Sequence, residues 1–171
     1  MNIKILCVGK IKEKFYRDAI SEYSKRLSKY CSLEIVEVND EKTSENSTEN
    51  DINIIKDKEG ERILKHIKDK EGDRILKHIK DRDYVISLAI QGKQYDSVAF
   101  SKYIDNLIVI GNSTIVFVIG GSLGLSQKVL SRSDSQISFS EMTFPHQLMR
   151  VILLEQIYRA MRISNNEPYH K

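Results

Sequence analysis

Five consecutive apolar residues, Ile115 to Ile119, end abruptly at the pair Gly120-Gly121. A short run rich in β-branched and aromatic side chains fits a buried strand over 114–119. With no side chain at the glycines, a ligand can approach the backbone closely there. A polar helical segment follows, then a short strand over 136–139 and a loop over 140–144. Pro145 opens a long helix, 145–161, whose Leu148, Val151, Ile152, Leu153, Leu154, Ile157, Tyr158 and Met161 fall on more than one face. A helix this apolar is either central or shared with a second chain. In open α/β sheets, ligands bind beyond the carboxyl ends of the strands. Two consecutive strands here end in loops that would face one pocket.

The chain before this stretch alternates in the same way. Apolar runs predict strands over 3–8, 33–38 and 84–90. Phe15, Ala19, Tyr23, Leu27 and Tyr30 recur at spacings of four and three and mark one face of a helix. Phe100, Ile104, Leu107 and Ile108 mark another, with Asp96 or Ser97 as its cap and Gly111-Asn112 as its stop. Gln91-Gly92-Lys93 reads as a turn, and the polar stretch 41–51 as a mobile loop. Strands and helices in alternation define an α/β fold, a mostly parallel sheet flanked by helices. At 171 residues it forms a single domain, 1–171.

Residues 56–67 (KDKEGERILKHI) and 68–79 (KDKEGDRILKHI) differ only at Glu61 and Asp73. They read as a tandem duplication of one helical segment. They are too short and too few for a solenoid array. Twelve residues at about 100° each advance the apolar stripe about 120° beyond whole turns, so only one copy fits a given groove. The second copy, joined directly to the next strand, is expected to dock, and the first to lengthen the helix or loop outward. His66 and His78 travel with the repeat and read as solvent-facing.

Composition narrows the class. Hydrophobic residues make up 40% and charged residues 30%, as in ordinary soluble domains. The apolar runs are too short to span a membrane, and the N-terminus reads as a strand rather than a secretory signal. Cys7 and Cys31 are the only cysteines. Cys7 lies in the first strand as a buried thiol, and a reducing cytosol fits the pair. No Cys/His cluster has metal-ligand spacing, so no metal is expected. A net charge of +3 permits nucleic-acid binding without demanding it.

Four features bear on chemistry. The run from Gly120 to Gly124 matches neither the phosphate-loop nor the dinucleotide fingerprint, so by itself it reads as a tight turn. The loop from Ser140 to His146 reads either as capping by Thr143 or as a backbone wrap around an adenine or methionine moiety, with His146 structural. Arg150, Arg159 and Arg162 are suited either to RNA phosphates or to pairing with Glu155 and its neighbours. By composition the tail 165–171 is a frayed end, although Tyr169, His170 and Lys171 offer stacking, proton transfer and phosphate contact.

IGGSLG, the run SFSEMTFPHQLMRVILLEQIYRA and the terminal EPYHK together resemble the ribosomal RNA large subunit methyltransferase H family of the SPOUT superfamily. The similarity continues through ILCVGKIKEKFYRDAISEYSKRL and ISLAIQGK. It covers nearly the whole chain except the extra twelve residues. The resemblance implies a C-terminal part threaded as a trefoil knot, a cytoplasmic homodimer, and S-adenosylmethionine as methyl donor. It implies as acceptor the ring nitrogen N3 of a pseudouridine in 23S rRNA, within the assembled ribosome. By motif match, the donor contacts Leu88, Gly120, Phe139, Ser140, Glu141, Met142, Thr143 and Phe144. Gly120 would lack a side chain because the donor lies against it. His170 is the expected base, with Tyr169 and Arg159 orienting the acceptor, and the tail is expected to complete the partner subunit's site. The rival reading is a non-catalytic ribosome- or RNA-binding protein that keeps the knotted fold.

Overall fold

The computed structural model describes residues 1–44, 46–67 and 83–169. Five strands alternate with five helices among them: β1 (Asn2–Val8), α1 (Lys14–Leu27), β2 (Ser32–Val38), α2 (Glu49–Leu64), β3 (Tyr84–Gln94), α3 (Ser97–Val109), β4 (Thr114–Ile119), α4 (Gln127–Arg132), β5 (Ser135–Ser138) and α5 (His146–Ser164). The sheet order is β2-β1-β4-β3-β5, and every neighbouring pair is parallel. All five carboxyl ends therefore lie along one edge. Side chains alternate across each strand. Ile3, Ile5, Cys7, Ile86, Ile115, Phe117 and Ile119 face α1, α3 and α5. Leu6, Val8, Val85, Val116 and Val118 face α2 and α4. β1 and β4 are buried almost throughout, which is why both read as continuous apolar runs.

α5 is the central helix of its layer. It packs between α1 and α3 and buries Leu153, Leu154, Ile157, Tyr158, Ala160 and Met161, while Leu148, Val151 and Ile152 are half-buried. Both cysteines are free and buried, and burial pushes the Cys7 thiol up to about 12.

Several expectations are corrected. The first copy of the repeat docks: Ile63 and Ile67 are buried in the core between the sheet and α4, and His66 is exposed. Lys128 on α4 lies 3.6 Å from both Asp57 and Glu61 of that copy. The second copy lies outside the described residues. The stretch 41–51 is not all loop, because Thr48 and Asp51 form a reciprocal capping box and α2 starts at Glu49. The segment Gln91-Gly92-Lys93 is not a turn. Leu88 and Lys93 both align with Ile137, so the intervening residues bulge and β3 resumes to Gln94. A Cβ at Gly92 would lie 2.7 Å from the Ile137 amide nitrogen, so only glycine fits there. Phe15 is 63% exposed, and its ring rests on Tyr16 while Ile20, Tyr23 and Leu27 carry the buried face of α1.

Candidate active site

Three adjacent strands, β4, β3 and β5, deliver their carboxyl ends to one cavity of about 670 Å³. β3 contributes Leu88, Ala89 and Ile90, the last two from the bulge. The segment after β4 contributes Gly120 to Gly124, and the one after β5 contributes Phe139, Ser140, Met142, Thr143, Phe144 and Pro145. His146 and Met149 close the cavity from the first turn of α5. Of the expected donor contacts, only Glu141 does not line it; Glu141 is exposed.

The two glycine-rich and serine-rich walls are built differently. Gly121 and Gly124 form an antiparallel bridge, with the Gly124 N–H donating to the Gly121 carbonyl at 3.1 Å. Gly124 has φ +85°, in the left-handed region that favours glycine. A Cβ on Gly120 would lie 2.8 Å from the Gly124 carbonyl carbon. Closure of the turn therefore demands glycine at Gly120, independently of any ligand. The other wall is held through Ser140: its carbonyl accepts from Ser138 Oγ at 2.9 Å, and its Oγ accepts from the Met142 N–H at 3.0 Å. Among the described residues no side chain caps the start of α5, so the capping role expected of Thr143 is not seen there. Met142 is 72% exposed.

Beneath the pocket, Arg150 is only 1% exposed. Its Nη2 donates to the carbonyls of Val8 (2.8 Å) and Gly9 (2.6 Å), and its Nη1 donates to Glu37 at 2.6 Å. It fastens α5 to the ends of β1 and β2 and is not available to RNA phosphates. Burial and the Arg150 charge hold the His146 imidazole below its usual range, partly opposed by Asp40. At neutral pH a neutral imidazole faces the cavity. A second cavity, about 560 Å³, shares Phe139 and Phe144 and continues to Tyr95, Ile152 and Gln156.

The expected catalytic side chains lie elsewhere. Arg159 pairs with Glu155 at 2.5 Å, and its guanidinium stands 4.7 Å from the Tyr169 ring centroid. Tyr169 Oη donates to Glu155 at 3.3 Å, and its ring meets Tyr158 edge-on at 5.0 Å. The tail is not frayed as far as Tyr169. Lys29, Arg162 and the Tyr30 hydroxyl all bind the Glu167 carboxylate, pinning the tail to α5 and to the turn after α1. His170 lies outside the described residues. Thirteen residues of α5 separate His146 from Arg159, about 20 Å at helical rise. The structure thus brings Arg159 and Tyr169 together, but at the opposite end of α5 from the cavity of their own chain.

The sequence reading missed Ala89, Ile90 and Met149 as lining residues. Only the glycine at Gly92 signalled the bulge that presents the first two.

A family model described as a predicted SPOUT methyltransferase matches residues 1–71 and 65–170. Ribosomal RNA large subunit methyltransferase H of Clostridium botulinum, Langeland strain, is 60% identical over 171 residues, covering 100% of both chains. The same-named protein of the Alaska E43 strain is 58% identical with the same coverage. A probable methylase family protein from Haemophilus influenzae Rd KW20 shares the fold at a TM-score of 0.50 and 13% identity, covering 99% of this chain and 70% of that one. The chain belongs to the SPOUT methyltransferases and, within them, to the ribosomal RNA large subunit methyltransferase H family.

Proposed function

We propose that the chain transfers a methyl group from S-adenosylmethionine to large-subunit ribosomal RNA, at N3 of a pseudouridine in 23S rRNA within the assembled ribosome. The observation that carries this reading is the convergence of Leu88, Gly120, Phe139, Ser140, Met142, Thr143 and Phe144 on one cavity. Its volume suits a nucleoside-sized ligand. Its lining pairs apolar side chains with exposed backbone edges, which fits an adenine and a methionine chain. The methyl donor, when bound, supplies an electrophilic sulfonium carbon. The family's trefoil-knotted threading and cytoplasmic setting belong to the same proposal.

The protein's own residues position and deprotonate. The turn from Gly120 to Gly124 and the loop held by Ser140 fix the donor for in-line attack. The neutral His146 places no positive charge beside a cationic donor. Arg159 and Tyr169 orient the acceptor base and stabilise the negative charge that develops on it, and His170 takes the N3 proton. The separation of about 20 Å along α5 supports a homodimer in which one chain's tail completes its partner's pocket.

Labelled methyl transfer to ribosomes lacking the modification, with naked rRNA alongside and the product located by mass spectrometry, tests the reading. Label on the pseudouridine of assembled ribosomes alone is the expected result. A chain that binds RNA or ribosomes but neither binds donor nor transfers methyl would instead be the non-catalytic binding protein.

A further inference from the structure

α2 reaches the glycine turn from behind. Glu59 is only 5% exposed, and its neighbour Gly60 is buried. Glu59 Oε1 accepts the N–H of Glu41 at 2.9 Å. Its Oε2 lies 3.1 Å from where a Cβ on Gly121 would stand. A Cβ on Gly60 would in turn collide with Ser126 Oγ and approach Val129 to 3.2 Å. Ser126 caps α4, accepting the Val129 N–H at 3.3 Å. The dipeptide Glu59-Gly60 therefore touches the segment Gly121–Ser126 at both of its ends. Arg62 fixes the other side of the same helix, donating to the Asn39 carbonyl at 2.8 Å and pairing with Glu41.

We infer that Glu59 and Gly60 are positioning residues for the donor pocket: they set the glycine turn from its buried side without touching a ligand. The inference rests on the reading of that pocket as the donor site. Gly60 lets α2 approach to backbone distance, and Glu59 fills the space beneath Gly121 while holding the Glu41 N–H. A larger residue at Gly60 pushes the helix off Ser126. A smaller one at Glu59 leaves the turn unsupported and the half-buried Glu41 N–H without its carboxylate partner. The extra copy carries the same pair as Glu71-Gly72, so the segment duplicated here is the one that braces the site.

Donor affinity measured by calorimetry, beside the thermal midpoint of each variant, tests this. Wild-type protein must bind S-adenosylmethionine; if it does not, the reading of the pocket fails before the brace is tested. Given wild-type binding, Glu59→Ala and Gly60→Ala each weaken donor binding roughly five- to tenfold, as expected for coupling between adjoining elements. Glu59→Gln, which keeps the size and the acceptor oxygen, restores most of it. Ile63→Ala, one helical turn beyond Glu59 and packed in the apolar core, lowers the thermal midpoint yet keeps donor affinity. Loss in a Glu59→Ala/Glu71→Ala chain, even if Glu59→Ala alone is mild, also supports the brace. Wild-type affinity in that double variant would overturn it. So would an Ile63→Ala variant that loses affinity as much as Glu59→Ala, since the effect would then be general destabilisation.

Discussion

The two ends of α5 are built from different materials. The first turn, with His146 and Met149, meets a cavity walled by glycines, loop backbone and apolar side chains. The last turns carry Arg159 and Arg162, stacked with Tyr158 and Tyr169 and tied to Glu155 and Glu167. One end offers shape and backbone edges, as a small cationic ligand with an adenine requires. The other offers cations and rings, as an RNA base and its developing charge require. About 20 Å of helix keeps them apart within one chain. On the proposed reading this division separates donor binding from acceptor chemistry, and substitutions should separate them too.

The largest effect should come from Gly120→Val. A branched side chain where a Cβ already lies 2.8 Å from Gly124 backbone must open the turn. Donor binding should fall at least about 1000-fold, read by calorimetry, while the tail cluster stays folded. Arg150→Ala comes next and acts on stability. It leaves the buried Val8 and Gly9 carbonyls without their donor, each an unsatisfied acceptor costing about 1–3 kcal/mol, while the exposed Glu37 carboxylate turns to water. Chemical denaturation measures that loss. Arg159→Ala should leave donor affinity unchanged and lower kcat roughly 100-fold; equal loss of both would erase the distinction between the two ends.

The smallest effect is electrostatic and belongs to the pocket end. His146 titrates below its usual value in the folded chain, so the unfolded chain binds the proton more readily. Stability should therefore be intact above about pH 6.5 and decline as pH falls below it. In His146→Gln that part of the slope should vanish, and urea midpoints taken across the range would show it.

How much of this was legible in the sequence differs between the ends. The pocket was readable because its elements are local: an apolar run stopped by Gly120-Gly121, a second strand, a loop and Pro145 all follow one another in the chain. The α/β class followed from the same alternation. The tail was not readable. Its composition suggests fraying, whereas Glu167 is held by Lys29 and Tyr30, whose distance along the chain leaves no local signature. Arg150 read as a cation for RNA phosphates or for Glu155 and its neighbours, because nothing nearby in sequence announces the Val8 and Gly9 carbonyls it binds. Docking of the repeat could not be chosen from two nearly identical segments. What holds the first copy is tertiary, Glu59 with Glu41 and Asp57 with Lys128, and both carboxylates recur in the second copy as Asp69 and Glu71. The capping box of Thr48 and Asp51 was legible and overlooked.

The central claim, that one chain's pocket works with the other chain's tail, is tested most directly by mixing two inactive proteins. A Gly120→Val chain keeps its tail, and a Tyr169→Ala chain keeps its pocket. Differently tagged chains would be co-expressed, the mixed dimer purified through both tags, and methyl transfer to ribosomes measured. Each mixed dimer would contain one intact composite site and should recover about half of the wild-type rate, since a two-fold dimer has two such sites. A mixed dimer that still binds donor at its intact pocket but transfers no methyl would contradict the claim.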